Sequence, residues 1–337
     1  MFEGKTVLIT GGTGSLGNAL VERLLDLGIK QIRIFSRNEL KQIEMESKFN
    51  DDRLRFLVGD VRELPRVIRA TEDVDFVFHA AALKHVPKVE YNPFEAIKTN
   101  VQGSQNVIDA CLQNNVKKAI CIGTDKAVSP LNTYGATKLL MEKLFVTAQR
   151  YSNPKKHHTK FAAVRYGNVF GSSGSVIPKF IQQLKNKQKL TMTDSKMTRF
   201  NITMNEALDF ILKATLHAKG SEIFIPKLKS YILSDVKDAL IELLSDTGSE
   251  SIGIRPGEKL HESLINEDEI SHAFEYENMY VIIDPQYHHE GLEQIYPKIK
   301  KLDNVKKYSS DLAEKLSISE IKKLITDSGF LENHNKT

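Results

Sequence analysis

The chain has 337 residues, 41% apolar and 27% charged, a composition that fits an ordinary water-soluble protein with a sizeable core and two unequal lobes. Its net charge of +4 is mild and evenly spread, which argues against a nucleic-acid partner, and the clusters Lys155-Lys156-His157-His158 and Lys298 to Lys301 read as solvated surface. A strand opening within the first few residues leaves no room for a signal peptide, and no apolar run approaches the roughly 20 residues of a membrane span, so a cytoplasmic protein with no membrane partner is expected.

Lys5-Thr-Val-Leu-Ile-Thr10 is a short β-branched run, the look of a parallel strand buried on both faces. Gly11-Gly12-Thr13-Gly14-Ser15-Leu16-Gly17 follows, and Asn18 to Leu27 has helical apolar spacing at Leu20, Leu24, Leu25 and Leu27. Glycines at 11, 14 and 17 tighten the turn, let the backbone approach a pyrophosphate and seat the helix close to the strand. The free N–H groups and the helix dipole favour phosphate. Strand, glycines and helix in that order predict a dinucleotide site at Gly11, Thr13, Gly14, Ser15, Leu16 and Gly17.

The second strand, Gln31 to Ser36, is followed by Arg37 at the place where an NAD enzyme carries an acid for the ribose hydroxyls. Arginine takes a 2′-phosphate bidentately, so Arg37 points to NADP, with Glu39 and Lys41 close enough to blur the signal; Ser36, Arg37 and Lys41 are expected at the cofactor. Strands at Leu54 to Val58 and Val74 to His79 run into Gly59-Asp60-Val61 and Ala80-Ala81-Ala82, small residues against which a cofactor would lie. Asp60 is either a helix N-cap or an adenine contact. His79 reads as a satisfied core histidine. No histidine stands at metal-ligand spacing from another, the pairs 157/158 and 288/289 being polar and loop-like, so no metal is expected. Lys84 follows the fourth strand on the side of the expected substrate.

Thr99 to Gly103 leads into a helix through Val107, Ile108, Ala110 and Cys111, and Ala119-Ile120-Cys121-Ile122 is a buried strand. Cys111 and Cys121, the only cysteines, therefore read as reduced core thiols. At the end of that strand stand a hydroxyl, a carboxylate and an amine, Thr124-Asp125-Lys126. Tyr134 and Lys138, one helical turn apart and so on one helix face, confront them. This is an acid–base kit.

Alternating strands and helices up to Phe161–Arg165 predict an α/β fold, a doubly wound parallel (Rossmann) sheet over residues 1–165. Tyr166 to Ser175 is a Gly/Ser-rich loop before a helix over 176–186, and the later elements shorten as in a smaller C-terminal α/β lobe. Further helices are expected over 203–217, returning to the first lobe, and over 233–247 and 320–326. The smaller lobe is expected over 166–199, 221–256 and 269–330, with about 200–220 and 257–268 returning to the first and 331–337 a frayed tail.

Gly11/Gly14/Gly17, Asp60-Val61, Ala80 to Ala82, Thr124 and Tyr134-x-x-x-Lys138 together resemble the extended short-chain dehydrogenase/reductase family, over the chain to about residue 326. The tokens Ser36-Arg37-Asn38-Glu39, Ala80 to Pro87, Thr124-Asp125-Lys126-Ala127, Arg165 to Val169, Met197 to Phe200 and Arg255 to Glu262 look most like its soluble inverting UDP-N-acetylglucosamine 4,6-dehydratases, the pseudaminic-acid type. The dTDP-glucose dehydratases differ in having Asp-Glu where this chain has Asp125-Lys126. Several membrane-bound relatives have Met where it has Tyr134.

The resemblance implies an NADP enzyme of polysaccharide biosynthesis that oxidises C4 of a nucleotide sugar, eliminates water across C5–C6, returns hydride to C6 and reprotonates C5 on the opposite face. Tyr134, its pKa lowered by Lys138 and the nicotinamide charge, would remove the O4 proton while Thr124 holds O4. Lys126, desolvated and neutral, would take H5, and a protonated Asp125 would deliver a proton to O6. Asn100, Tyr134 and Lys138 join the expected cofactor contacts. Arg199 and Arg255 are expected on the diphosphate, Asn168 and the Ser175-Val176 helix start on pyrophosphate or uracil, with Glu258 and Lys84 completing the substrate set. Two other readings stand beside this one. A nucleotide-sugar 4-epimerase shares Thr124, Tyr134 and Lys138 but has no use for Asp125 and Lys126, and a silent dinucleotide-binding regulator needs only the glycines. Apolar residues beyond one stripe on the 134–150 helix (Leu139, Leu140, Met141, Leu144, Phe145, Val146), with the family's habit of pairing that helix, suggest a homo-oligomer, at least a dimer.

Overall fold

Short β-branched runs that stop at glycine, alanine or threonine make a parallel sheet whose carboxyl ends are narrow enough for ligands. The computed structural model describes residues 1–172, 175–284, 291–303 and 305–331. In its first half β1 (Thr6–Thr10), α1 (Ser15–Asp26), β2 (Gln31–Ser36), α2 (Glu39–Phe49), β3 (Leu54–Val58), α3 (Leu64–Thr71) and β4 (Phe76–His79) alternate as expected. After two short helices, α4 (Val86–Tyr91) and α5 (Pro93–Ala96), a π-helical turn over Ile97–Gln102 leads into α6 (Gly103–Gln113). Then come β5 (Lys118–Ile122), α7 (Thr133–Tyr151) and β6 (Lys160–Val164). The parallel order β6-β5-β4-β1-β2-β3 reverses direction of winding between β1 and β4, which opens a crevice at their carboxyl ends.

Both faces of the sheet are covered. Leu20 and Leu24 of α1 and Met45 of α2 pack on Val7, Ile9 and Ile34, while Val67, Val107, Met141 and Phe145 from α3, α6 and α7 pack on Leu8, Val77 and Cys121. Cys111 and Cys121 are free and buried, and burial pushes the Cys121 thiol up to about 12. The helix expected to return does so. α9 (Met204–His217) starts at a Thr203/Glu206 capping box. It lays Leu208, Ile211 and Ala214 against the α1 side of the core, where Arg23 pairs with Asp209.

The large sheet is wider than the sequence suggested. β10 (Glu222–Pro226) runs parallel beside β6, and β15 (Met279–Ile283), β14 (Ala273–Tyr276) and β16 (Lys300–Lys301) continue it antiparallel to a total of ten strands. These residues were expected in the smaller lobe. The physical reason is the edge: Phe161 to Val164 of β6 are wholly buried and would present an apolar, unpaired strand without a neighbour. Around 257–268, only Leu264 and Ile265 pack into the first core, and β13 (Ser263–Ile265) pairs with β17 (Tyr308–Ser309) in a separate ribbon.

The smaller lobe has its own core. α8 (Val176–Lys185), β8 (Leu190–Met192), α10 (Leu233–Leu243) and α12 (Ile318–Asp327) enclose Ile177, Phe180, Leu184, Val236, Leu240, Ile321 and Ile325. β7 (Asn168–Val169), β9 (Thr198–Ile202) and β11 (Ser230–Ile232) form a three-stranded sheet beside it, and β12 (Ser249–Ser251) pairs with β8. α10 stops four residues before the expected Thr247, ahead of an Asp246–Gly248 turn in which Gly248 has φ +79°. A short α11 (Leu292–Ile295) completes the helices. Of the expected tail, 332–337 lie outside the described residues. Among the described residues no helix is long and apolar enough to cross a membrane.

One buried ion cluster joins these parts. The Arg165 guanidinium, fully buried, donates to both oxygens of Glu142 on α7 and, at 2.9 Å each, to both oxygens of Glu269, with a further bond of 2.8 Å to the Leu264 carbonyl. Removing one partner of such a cluster strands charge in the interior. Arg165→Met should lower the unfolding free energy by about 3–5 kcal/mol in urea denaturation. A loss below about 1 kcal/mol, the range of a surface pair, would show that water or rearrangement satisfies the two carboxylates.

Candidate active site

The crevice between β1 and β4 holds a cavity of about 310 Å³ lined by Gly11, Thr13, Gly14, Ser36, Arg37, Lys41, Asp60, Val61, Ala81 and Ala82. Ten of the residues expected at a cofactor thus meet in one place. A Cβ on Gly11, whose φ is +68°, would sit 2.8 Å from the Ala81 amide nitrogen, and one on Gly17 would collide with the Gly12 carbonyl. The loop therefore fits only without side chains there. Gly14 caps α1 without a side-chain bond, leaving the first-turn N–H groups around Ser15 and Leu16 to an anion. These features fit a dinucleotide.

At the ribose end, Gln42 fixes β2 by donating to the Ser36 carbonyl and hydroxyl and to the Leu57 carbonyl. Asp60 is not a helix cap, since α3 begins later at Leu64; it receives the Arg62 amide and guanidinium and lies 3.6 Å from Arg37. Burial alone would raise its carboxyl. The Arg62 hydrogen bonds and the Arg62 and Arg37 charges outweigh that and hold it below the usual carboxylate range. Asn100 does not reach the cavity. It is fully buried, and its amide is spent on both backbone groups of Leu83 and on Thr137, which pins the loop after β4 to α7.

His79 is a satisfied core histidine, bonded to Thr10 at 2.7 Å and Ser104 at 3.0 Å, and burial with the nearby Lys138 charge depresses it to about 3. His288 and His289 lie outside the described residues, among which no group of three or more His, Cys, Asp or Glu could hold a metal ion.

The acid–base residues converge because the strand stops early. β5 ends at Ile122, and Thr124 caps a single 3₁₀ turn, Asp125–Ala127, instead of continuing the pleat. Successive side chains then point together. Lys126 Nζ lies 3.1 Å from Asp125 Oδ1 and 3.1 Å from Asn168 Oδ1, and Thr124 donates to Asp125 Oδ1 at 2.9 Å. α7 arrives opposite, with Asn132 accepting the Gly135 amide at its start, and a Cβ on Gly135 would strike the Lys126 carbonyl. Tyr134, in the first turn, is buried beside Thr124 and Lys126.

Two expected protonation states are corrected by this geometry. Lys126 is not a neutral amine: burial pulls its pKa down, but the Asp125 and Glu262 carboxylates outweigh this and raise it well above the ordinary lysine value. Tyr134 is not lowered by Lys138. Burial raises its phenol, against a downward pull from Lys126. Lys138 instead donates to the Ile122 carbonyl and lies 3.1 Å from Met141 Sδ, and burial lowers its own pKa.

The substrate-side residues divide. Asn168 meets Lys126, and Ser175 caps α8 with a buried hydroxyl that has no hydrogen-bond partner among the described residues, beside Val176. Lys84 and Arg255 are exposed. Arg199 is turned inward: it donates to the carbonyls of Thr198, Leu260 and Lys259 and pairs with Glu258 at 3.4 Å. It holds the 258–260 loop rather than facing outward to a diphosphate. Sequence reasoning passed over Lys259 and Glu262, which that loop brings to the acid–base corner. The signal was present in the Arg255 to Glu262 token, where acid and base stand three residues apart.

A family model described as polysaccharide biosynthesis protein matches residues 7–284. UDP-N-acetylglucosamine 4,6-dehydratase (inverting) from Campylobacter jejuni is 50% identical over 284 residues, 84% of either chain. A protein named UDP-glucose 4-epimerase from Rickettsia conorii is 40% identical over 346 residues, covering 100% of this chain and 99% of its own. Pen from Bacillus thuringiensis, known from an X-ray structure, superposes with a TM-score of 0.90 at 41% identity over 98% of this chain and 99% of its own. The resemblance read from the motifs is thereby borne out, and the chain belongs to the polysaccharide biosynthesis protein family.

Proposed function

We propose that the chain is an NADP-dependent UDP-N-acetylglucosamine 4,6-dehydratase that inverts C5, giving a UDP-2-acetamido-2,6-dideoxy-L-arabino-4-hexulose. The carrying observation is the turn that brings Thr124, Asp125 and Lys126 together opposite Tyr134. The 50% identical relative named for this reaction supports it. When bound, NADP supplies the acceptor for the C4 hydride and its donor to C6. Gly11, Gly14 and the α1 terminus would hold its pyrophosphate, and Arg37 with Lys41 its 2′-phosphate.

Tyr134 removes the proton from O4, which Thr124 holds by hydrogen bond. The Lys126 charge beside it eases loss of its own proton. Once C4 is a ketone, H5 becomes acidic and Lys126 takes it, after giving up the proton it carries at rest. Asp125 delivers a proton to the departing O6, and reprotonation of C5 from the other side inverts that centre. Ser175 and the α8 N-terminus, with Arg255, would receive the diphosphate. Exposed Tyr91, Phe94, Ile97 and Leu140 on α4, α5, the π turn and α7 form the face on which a homo-oligomer would assemble. Work in the cytoplasm accords with the two reduced thiols.

The 4-epimerase reading is favoured by the name of the full-length Rickettsia relative, and by the ion pair, which would leave Asp125 and Lys126 without a task. Product NMR separates the two. In D₂O the dehydratase product should carry solvent deuterium at C5 and the original C4 hydrogen at C6; a C4 epimer formed without water loss would end the dehydratase proposal.

Cofactor choice has its own test. Exchanging Arg37 for aspartate should remove one charge-assisted contact to a 2′-phosphate, of about 1.5–3 kcal/mol, and so weaken NADPH relative to NADH by about 10- to 100-fold in fluorescence titration. An unchanged ratio would place the discrimination elsewhere.

A further inference from the structure

The acid–base corner contains a second buried carboxylate that the mechanism above does not use. Glu262 is 3% exposed, with Oε1 3.7 Å from Lys126 Nζ and Oε2 3.9 Å from Lys259 Nζ. Oε2 is buried and accepts no hydrogen bond among the described residues. The backbone beneath it is clamped: the Glu262 amide donates to Ser310 Oγ at 2.9 Å, the Ser310 amide returns to the Glu262 carbonyl at 2.7 Å, and Ser310 Oγ meets Thr198 Oγ1 at 2.7 Å. The carboxylate is thus aimed at Lys126 by a fixed loop.

Lys126 begins as an ammonium, and an ammonium cannot accept H5. We infer that Glu262 is the positioning residue that arms Lys126, taking one proton from its ammonium before the C5 step and returning it after water has left; the inference rests on the dehydratase reading. An N–H bond breaks and a carboxyl O–H bond forms. The freed nitrogen pair then takes H5 as the C5–H electrons move into the C4 ketone. Once that proton has gone to the leaving O6 through Asp125, Glu262 hands its own back to Lys126, so no proton is gained or lost.

Charge favours Glu262 for this task. Asp125 and Glu262 face Lys126 and Lys259, two of each sign. Transfer leaves Asp125 and Lys259 as the remaining ions of these four and removes the charge of the buried Glu262 at unchanged net charge. Asp125 Oδ1 already accepts from Thr124 and Lys126, whereas Glu262 Oε2 accepts from no described residue. The other ionisable groups around the corner are Tyr134 from α7, Arg199 from β9, Tyr231 from β11, and Glu258 and His261 from the same loop.

Full-length Glu262→Gln and Glu262→Asp are compared with wild type, with Lys126→Met as benchmark, using UDP-N-acetylglucosamine in D₂O. Single-turnover absorbance of the reduced dinucleotide reads C4 oxidation, and NMR reads deuterium entry at C5. Glu262→Gln should slow C5 labelling about 100-fold more than C4 oxidation, within the range of a lost acid–base partner, and Glu262→Asp should recover at least about tenfold of it. With the amide in place Lys126 must shed its proton to solvent, so the labelling rate of Glu262→Gln should climb with pH where wild type is flat. Unchanged labelling in Glu262→Gln, or an equal fall in both steps with no recovery by aspartate, overturns the inference. If Glu262→Gln does not fold, the ratio of the two rates in Glu262→Asp decides, and a ratio equal to that of wild type overturns it. Labelling that survives in Lys126→Met overturns the dehydratase base and the inference together; labelling lost there but intact in Glu262→Gln overturns the inference alone.

Discussion

One buried guanidinium ties together the chain segments that carry the residues of the acid–base corner. Arg165 leaves the carboxyl end of β6 and grips Glu142 on one side and Glu269 on the other. Glu142 belongs to the helix that carries Tyr134 and Lys138. Glu269 follows closely on the loop that carries Lys259 and Glu262. Between them, β5 and its terminal turn present Thr124, Asp125 and Lys126. A charged cluster in an apolar interior is costly to open and has few alternative arrangements, so it sets the spacing of three chain segments more tightly than apolar packing alone would.

The same low-dielectric setting explains why the corner rests in a paired state. Lys126 is surrounded by carboxylates and stays protonated, and the Tyr134 phenol, deep in the same wall, also keeps its proton. Both reactive groups are therefore at rest until a substrate alters the balance of charge and hydration around them. On the proposed dehydratase reading, such restraint would suppress stray reaction with water before a sugar is bound.

Much of this was legible from residue order. The glycine loop, the six parallel strands and the capped return helix follow from local patterns that the tertiary structure does not override: β-branched runs, Gly at positions that a Cβ would obstruct, and a Thr-x-x-Glu box. The charge state of Lys126 was not legible. The deciding partner, Glu262, comes from far along the chain, and adjacency to Asp125 does not fix the state. The outer strands were missed for a similar reason. Ser-Glu-Ile-Phe-Ile-Pro at 221–226 is too short to show a period, and only the need to cover β6 tells where it goes. Asn100 and Arg199 show what motifs leave open: polar side chains whose hydrogen bonds go mostly to nearby backbone carbonyls and amides.

The clasp joins residues separated by 104 positions. On a ribosome, β1 to β6 and both flanking helices emerge long before Glu269, so for that interval Arg165 has only Glu142 to hold. The parallel sheet likewise lacks its neighbour until β10 is made. The scaffold that cradles a dinucleotide is assembled early and from local contacts, whereas the corner for proton transfer is closed by late-arriving segments.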